Sequence, residues 1–511
     1  MMQCQLDDSV NVQRCPENGN RPFAGSVRPT LFWSCLALVW FAFLFTFGIS
    51  VGPLYRTEAL RAVLARNTLE GSWLIPTLYG EPFLTKPPGL YLAIALCSRP
   101  GGAVTIISAR WPSVLAAFGI VGLFYLFFRV VFPRVQAIFA AMLIPASPLW
   151  LDRVPSAEID LLLVFWVVAA FYCASRSLAL VPVLDHPGGP EQENTTKQSL
   201  IWWMLSLLCV AAGFLTKWTA PAFFYPSLLA WLWWGKQLRV CYGWRHLMAA
   251  SSAVLLCLIW ILAVGSQVGW DRFAHVIYAE AAQRFAPGHS GKAYPWLESV
   301  SFPFIVMGAN APWSILALGS LRPSFYRSFN PQGRALLRLF HCWASFGLIF
   351  WSLPTQHHIR YCLPLTPVLS ALGLMVLIRW WNEKSATRSA WTRRLLILTV
   401  LLCWGLTKLV YTEAIVGYRA TQFHPEHAAA QLNDLVPEQS LLYVAGWKDE
   451  GIIFLVKRKV KRFQWDQIPA SGSYLLLIES EWQRRISRKD VLLIGQMSDQ
   501  QGSPIYLVRV L

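Results

Sequence analysis

The segment Leu84-Thr85-Lys86-Pro87-Pro88 holds a cation in a stiff stretch of backbone. Pro87 pushes Lys86 into an extended conformation, and the second proline stiffens the next turn of chain. An ammonium presented this way is a fixed point charge, and phosphate is a natural partner for it. At about 4 Å and an effective dielectric near 20, one such pair is worth up to roughly 4 kcal/mol before desolvation. The competing reading is a lysine that snorkels to lipid headgroups. A second cluster, LDRVPSAEIDLL, places Glu158 and Asp160 at the mouth of an apolar helix. Helix capping accounts for one acid there. Two acids beside Arg153 point to a polar cavity. A third segment, RFAPGHSGKAYPWLES, gathers His289, Lys292, Tyr294 and Trp296 in a loop marked by proline and glycine. In PTQHHIRYCLP, Arg360 and Tyr361 open a helix and suit recognition of an anion or a sugar. No metal site is expected at His357 and His358. Adjacent side chains diverge on a helix, and no carboxylate or thiolate sits at ligand spacing.

These groups need a scaffold, and the composition identifies it. Apolar residues make up 55% of the 511 positions and charged residues only 14%, against about 25% in a soluble domain. The apolar residues come in long blocks, and runs of about 20 residues span a hydrocarbon core of about 30 Å as a helix. Eleven spans are read: 31–51, 104–128, 135–150, 158–176, 199–214, 219–235, 246–267, 300–320, 336–353, 362–379 and 395–412. Half-buried segments bring the expected range to about 11–13. Many of the 26 tryptophans lie near block ends, as suits indole at a bilayer interface. The first apolar run is too long for a cleavable signal core and reads as a retained helix. The net charge of +17 resides mainly between apolar blocks, so a membrane explains it more simply than nucleic acid does. Arg129 and Arg134, Lys236 to Arg245, Arg322 to Arg334, and Arg379 to Arg394 all fall on one side. The positive-inside rule makes that side cytoplasmic.

The N-terminal tail (1–30) is then cytoplasmic, and segments 52–103, 151–157, 268–299, 354–361 and 413–511 face outward with the polar chemistry. In 52–103, two stretches too short to cross the bilayer, 58–70 and 88–97, read as interfacial amphipathic helices. From about 413 the pattern shifts to short runs that read as strands at 440–445, 452–456, 474–479, 491–496 and 506–511, with helices at 423–435 and 481–489. The expected architecture is an all-α polytopic membrane domain (31–412) followed by a small extracytoplasmic α/β domain (413–511). The basic run Lys457–Arg462 suits either anionic headgroups or a solvated strand pair. The eleven cysteines include no CxxC, so neither a disulfide framework nor a thiolate metal site is expected. P-loop, GxGxxG and GxSxG motifs are also missing.

The stretch GSWLIPTLYGEPFLTKPPGLYLAIAL (71–96), followed in order by SARWPSVLAAFGIVGLFYLFFRVVF, SPLWLDRVPSAEIDLLL, HSGKAYPW and IRYCLPLTPVLSAL, resembles the polyprenyl-phosphate-dependent membrane glycosyltransferases of the C-type fold. These include the aminoarabinose lipid A transferases and, more distantly, the protein O-mannosyltransferases. The resemblance covers roughly residues 31–410. It implies transfer, with inversion, of a sugar from a polyprenyl phosphate donor to a lipid, glycan or protein acceptor at the outer face of the membrane, which is the inner membrane of the cell. It places donor-phosphate contacts at Lys86, Lys292 and Arg360. Catalytic carboxylates fall at Glu58 and Asp160, with Tyr55, Arg56, Glu158, His289 and Tyr361 contacting substrate. Lys292 stands where the family has arginine, which keeps the charge but not bidentate geometry. The family's Asp-Glu pair after the first helix is reduced here to Tyr55-Arg56-Thr57-Glu58, with Glu58 as the remaining acid and expected general base. No cofactor is expected, and a structural divalent metal is left open. The alternative is a transporter or flippase for a lipid-linked substrate, which would show internal repeats and mid-depth polar residues; no repeat is evident.

Overall fold

The structure is a computed structural model, and it describes residues 27–55, 57–178, 195–285, 294–384, 390–422, 424–447, 449–484, 490–499 and 501–511. Arg56, His289 and Lys292 therefore lie outside the described residues. The first half runs α1 (Val27–Thr46), α2 (Thr57–Leu69), the two-residue strands β1 (Thr77–Leu78) and β2 (Glu81–Pro82), α3 (Gly89–Ser98), α4 (Ile106–Phe128), α5 (Arg134–Leu143), α6 (Pro148–Arg153), α7 (Ile159–Ser177) and α8 (Thr195–Lys217). The second half of the helical region adds α9 (Phe224–Trp234), α10 (Trp244–Val268), α11 (Trp270–Phe285), α12 (Trp296–Ala309), α13 (Trp313–Ala317), α14 (Pro323–Arg327), α15 (Pro331–Ser352), α16 (Thr366–Lys384) and α17 (Ala390–Val410).

Seven described helices are long and apolar enough to cross a membrane, or eight if the pair bent by 105° at residues 310–312 is one span. The other expected spans correspond to shorter apolar helices, among them α5 and α9. The bend is the span read as 300–320, and Pro312 stands where it turns. The main core packs α1, α4, α5, α7, α8, α15 and α16 around Phe124, Phe127, Phe171, Trp150 and Trp343. Outward-facing Leu, Ile and Trp side chains of α10 and α17 are exposed on the protein surface, as a lipid-facing surface requires.

Segment 52–103 forms the two short helices α2 and α3, which pack within the protein. Gly89 lets α3 abut α8, since a Cβ there would meet the Leu215 carbonyl oxygen at 2.8 Å. Helix α11 lies in the segment 268–299, for which the sequence predicts no helix. Its Phe273 packs with Leu84, Trp218, Trp260 and Val264.

Beyond α17 the chain stays helical through a π turn (Tyr411–Val416) and α18 (Gly417–Gln422). It then forms α19 (Pro425–Leu435), β3 (Leu442–Val444), α20 (Glu450–Leu455), β4 (Val460–Arg462), β5 (Tyr474–Ile478), α21 (Glu479–Arg484), β6 (Val491–Ser498) and β7 (Pro504–Val510). The sheet order is β4-β3-β5-β7-β6, parallel across β4, β3 and β5 and antiparallel thereafter. Residues 452–456, read as a strand, are mostly helical: the Asp449 side chain accepts from the Gly451 amide at 3.2 Å and starts α20 instead. The basic run contributes the strand β4.

This sheet unit is bonded to the segment that follows α1. Arg66 on α2 donates to the carbonyls of Ile453, Phe454 and Val456 at 3.3–3.5 Å, capping the C-terminal end of α20. The Arg462 amide donates to the Tyr79 carbonyl at 2.9 Å. The apolar faces of α2, α3, α19 and α20 share one core.

Candidate functional site

Arg110, one turn into α4, organises one end of the helices. The helix begins with a reciprocal cap between Thr105 and Ser108, which fixes the direction of Arg110. Its guanidinium donates to Glu58 Oε1 and Oε2 at 3.1 Å each, and also to the carbonyls of Ile49, Val51 and Pro53. Glu58 opens α2 and accepts two further bonds, from the amides of Ala157 at 2.8 Å and Tyr55 at 3.0 Å. One buried ion pair thus ties together the end of α1, the start of α2 and the turn before α7. Four donors occupy Glu58, about the full acceptor capacity of a carboxylate.

These segments wall a cavity of about 230 Å³ lined by Tyr55, Thr57, Glu58, Arg110, Arg153, Glu158, Arg360, Lys408, Tyr411 and Arg419, among others. Glu158 is the N-terminal cap position of α7 and is 7% exposed. It accepts a hydrogen bond from Thr57 Oγ1. Burial raises its carboxyl above the ordinary range and Asp160 adds to the rise, while Arg61 and Arg153 oppose it. Arg61 donates to the Tyr91 hydroxyl at 2.8 Å. Asp152 accepts from Tyr411 at 2.8 Å and Arg419 at 3.1 Å, and it pairs with Arg153 at 3.0 Å. Burial works to raise Asp152, but Arg153, Tyr411 and Arg419 together hold its carboxyl below the usual range. Lys408 donates to the Val154 carbonyl at 2.8 Å. Neither Lys408 nor Arg360 has a carboxylate within 4.0 Å among the described residues.

Asp160 lies two residues past Glu158, so the helix turns it away from this cavity. It is buried against Lys217 at 2.6 Å. The Lys217 ammonium sits 4.7 Å from the Tyr361 ring centroid, and the Arg360 guanidinium 5.6 Å from the same ring. Tyr361 therefore links the Asp160–Lys217 pair to a cation on the cavity wall. Lys86 is paired with Glu280 of α11 at 2.6 Å and also donates to its neighbour's carbonyl at Thr85. The Trp218 indole donates to that same carbonyl at 2.9 Å, which fixes the diproline segment on α8. Of the residues singled out from sequence, the cavity thus gathers Tyr55, Glu58, Glu158 and Arg360. Lys86, Asp160 and Tyr361 stand outside its lining.

Arg110, Lys217, Lys408 and Arg419 were missed from sequence. Each sits in or beside an apolar run, and its partner lies 50 or more positions away. His357 bonds to the Ser352 carbonyl at 3.1 Å and lies 3.7 Å from Glu298. No three His, Cys, Asp or Glu side chains among the described residues gather where they would hold a metal.

Residues 85–182 match the family model described as dolichyl-phosphate-mannose-protein mannosyltransferase. Over nearly its whole length the chain superposes on ArnT from Cupriavidus metallidurans bound to undecaprenyl phosphate, with a TM-score of 0.70, 16% identity, and coverage of 95% of this chain and 99% of that one. The fold is that of ArnT. The apo form of the same ArnT gives a TM-score of 0.67 at 14% identity, over 94% of this chain and 98% of that one. The Archaeoglobus fulgidus oligosaccharyltransferase, in its apo form, gives 0.50 at 13% identity, over 88% of this chain and 70% of that one. No curated protein matches the chain by sequence. Both comparisons carry a polyprenyl phosphate in their descriptions, dolichyl phosphate in the family model and undecaprenyl phosphate in the ArnT structure.

Proposed function

We propose that this protein is an inverting glycosyltransferase that moves a sugar from a polyprenyl phosphate donor to an acceptor at the outer face of the inner membrane. The observation that carries the reading is the cavity at one end of the apolar helices, which Arg360 and Lys408 line together with the buried Glu158. Lipid phosphate is a tolerable leaving group once its charge is neutralised. Preorganised cations in a water-poor site supply that neutralisation at the moment it is needed. Arg360 is the first donor-phosphate contact in this reading, and Lys408 the second. Lys86 joins them when the phosphate takes the place of Glu280. The Asp160–Lys217 pair positions Tyr361, and through its ring Arg360. The N-terminus is cytoplasmic, and the sheet unit from about 413 onward is extracytoplasmic.

The direct test offers purified protein in proteoliposomes a panel of undecaprenyl-phosphoryl hexoses and pentoses with extracted envelope lipids. Mass spectrometry then tracks released undecaprenyl phosphate and the new glycoconjugate. Sugar-dependent release supports the reading. Intact protein that releases nothing from any donor overturns it. In the same assay Arg360→Ala is expected to lower transfer about 10–100-fold, chiefly in kcat. Arg360→Lys should recover only part, because a point charge replaces a two-pronged donor. Equal rates for wild type and Arg360→Ala would remove the phosphate role.

A further inference from the structure

Glu58 cannot readily serve as a proton acceptor in this arrangement. Its two oxygens already take four hydrogen bonds, two of them from a guanidinium that would have to be abandoned if the carboxylate were protonated. A carboxylate locked this way is a structural group. The neighbouring acid is placed differently. Glu158 lines the same cavity, has no cation within 4.0 Å among the described residues, and accepts one side-chain bond, from Thr57. Thr57 itself stands directly before Glu58, in the reduced form of the family's paired acids.

We propose that Glu158, steered by Thr57, is the general base of the transfer, and that the acceptor atom it activates is a hydroxyl oxygen. This rests on the glycosyltransferase reading above. In the step, the acceptor oxygen forms a bond to the anomeric carbon from the face opposite the lipid phosphate. The bond between that carbon and the phosphate oxygen breaks, and the electron pair leaves on the phosphate. The acceptor's proton passes to Glu158 and is lost to water after product release. A base is needed only when the nucleophile arrives protonated. An acceptor phosphate, already anionic, would need none, so the placement of Glu158 favours an alcohol.

The charged groups nearest Glu158 are Arg61 on α2, Arg153 on α6 and Asp160 on its own helix, with the Tyr91 hydroxyl on α3 bonded to Arg61, and Glu58, Arg110, Asp152, Arg360, Lys408 and Arg419 line the same cavity. Burial favours the protonated acid, and Arg61 keeps the rise within bounds. A general base works in its ionised form, so transfer should be fully present above the raised pKa and lost as pH falls through it.

The test uses the full chain in proteoliposomes with whichever undecaprenyl-phosphoryl sugar the wild type turns over. Glu158→Gln should cut the maximal rate about 100-fold, with little change in donor KM and no acidic limb in the pH profile. Thr57→Val, nearly isosteric, should keep the protein level and move the acidic limb to higher pH, because the carboxylate loses a donor. A wild type that is active alongside a Glu158→Gln variant of similar rate, or an unchanged limb in Thr57→Val, overturns this proposal alone. A rate independent of pH in the wild type sinks the hydroxyl acceptor and with it the base. A wild type that releases no lipid phosphate from any donor overturns the glycosyltransferase reading on which the proposal stands.

Discussion

Arg110→Ala is expected to cost about 3–5 kcal/mol of stability and to abolish transfer, the largest effect of any single change outside the apolar core. The loss is not that of one attraction. The variant leaves Glu58 as an uncompensated buried carboxylate, and it orphans the carbonyls of Ile49, Val51 and Pro53 at once. Thermal unfolding in detergent and the amount of inserted protein both report it. Arg110→Lys should fall between, since an ammonium cannot span both carboxylate oxygens and three carbonyls. The informative companion is Arg110→Met combined with Glu58→Gln. Removing both charges takes away the buried imbalance, so much of the stability should return. If Glu58 is structural, transfer returns with it. If transfer stays lost in a stable double variant, Glu58 has a chemical role after all. An Arg110→Ala protein within about 1 kcal/mol of wild type would show that the ion pair does not hold the loops together.

Lys217→Ala is the second large effect, again about 3–5 kcal/mol, because Asp160 is then buried without a partner. Asp160→Asn should cost less, since the amide keeps the shape and leaves an acceptor for the Lys217 ammonium. A double-mutant cycle with Lys217→Met and Asp160→Asn should give a coupling of roughly 1–3 kcal/mol. Additive losses would deny the pair. Activity separates structure from positioning. The stable double variant should remain slow, because the ammonium at the Tyr361 ring is gone and the ring that carries Arg360 is no longer held from that side. Wild-type kcat in that variant would show that Tyr361 and its cations are not part of the site.

Much of the fold was legible because long apolar runs carry their own signal. Residues 104–128 and 158–176 match α4 and α7 to within about two positions, and 246–267 matches α10 equally well. The run at 300–320 carried the apolar signal but gave no sign of a 105° bend. Helix α11 escaped notice because its WDRFAHVIYAEAAQRF is too polar to span and reads as loop. Residues 452–456 have a strand's composition. Helix α20 wins there through a cap from Asp449 and three carbonyl bonds from Arg66, nearly 390 positions away. Such partners leave no trace in local periodicity. The same holds at the site. Glu158 was readable as a polar cluster at a helix mouth, but its freedom relative to Glu58 depends on Arg110. That arginine sits inside an apolar run and reads in isolation as a residue at an interface.

The cavity wall draws on residues 47–58, on Arg110, on the 151–158 turn, on Arg360 and finally on Lys408, Tyr411 and Arg419. The clamp from Arg66 closes only once α20 exists. Only residues beyond Ala420, which include the whole sheet unit, are still to be made once the last stretch of the cavity wall has left the ribosome. A product that ends before residue 408 lacks the last stretch of that wall, Lys408 to Ala420.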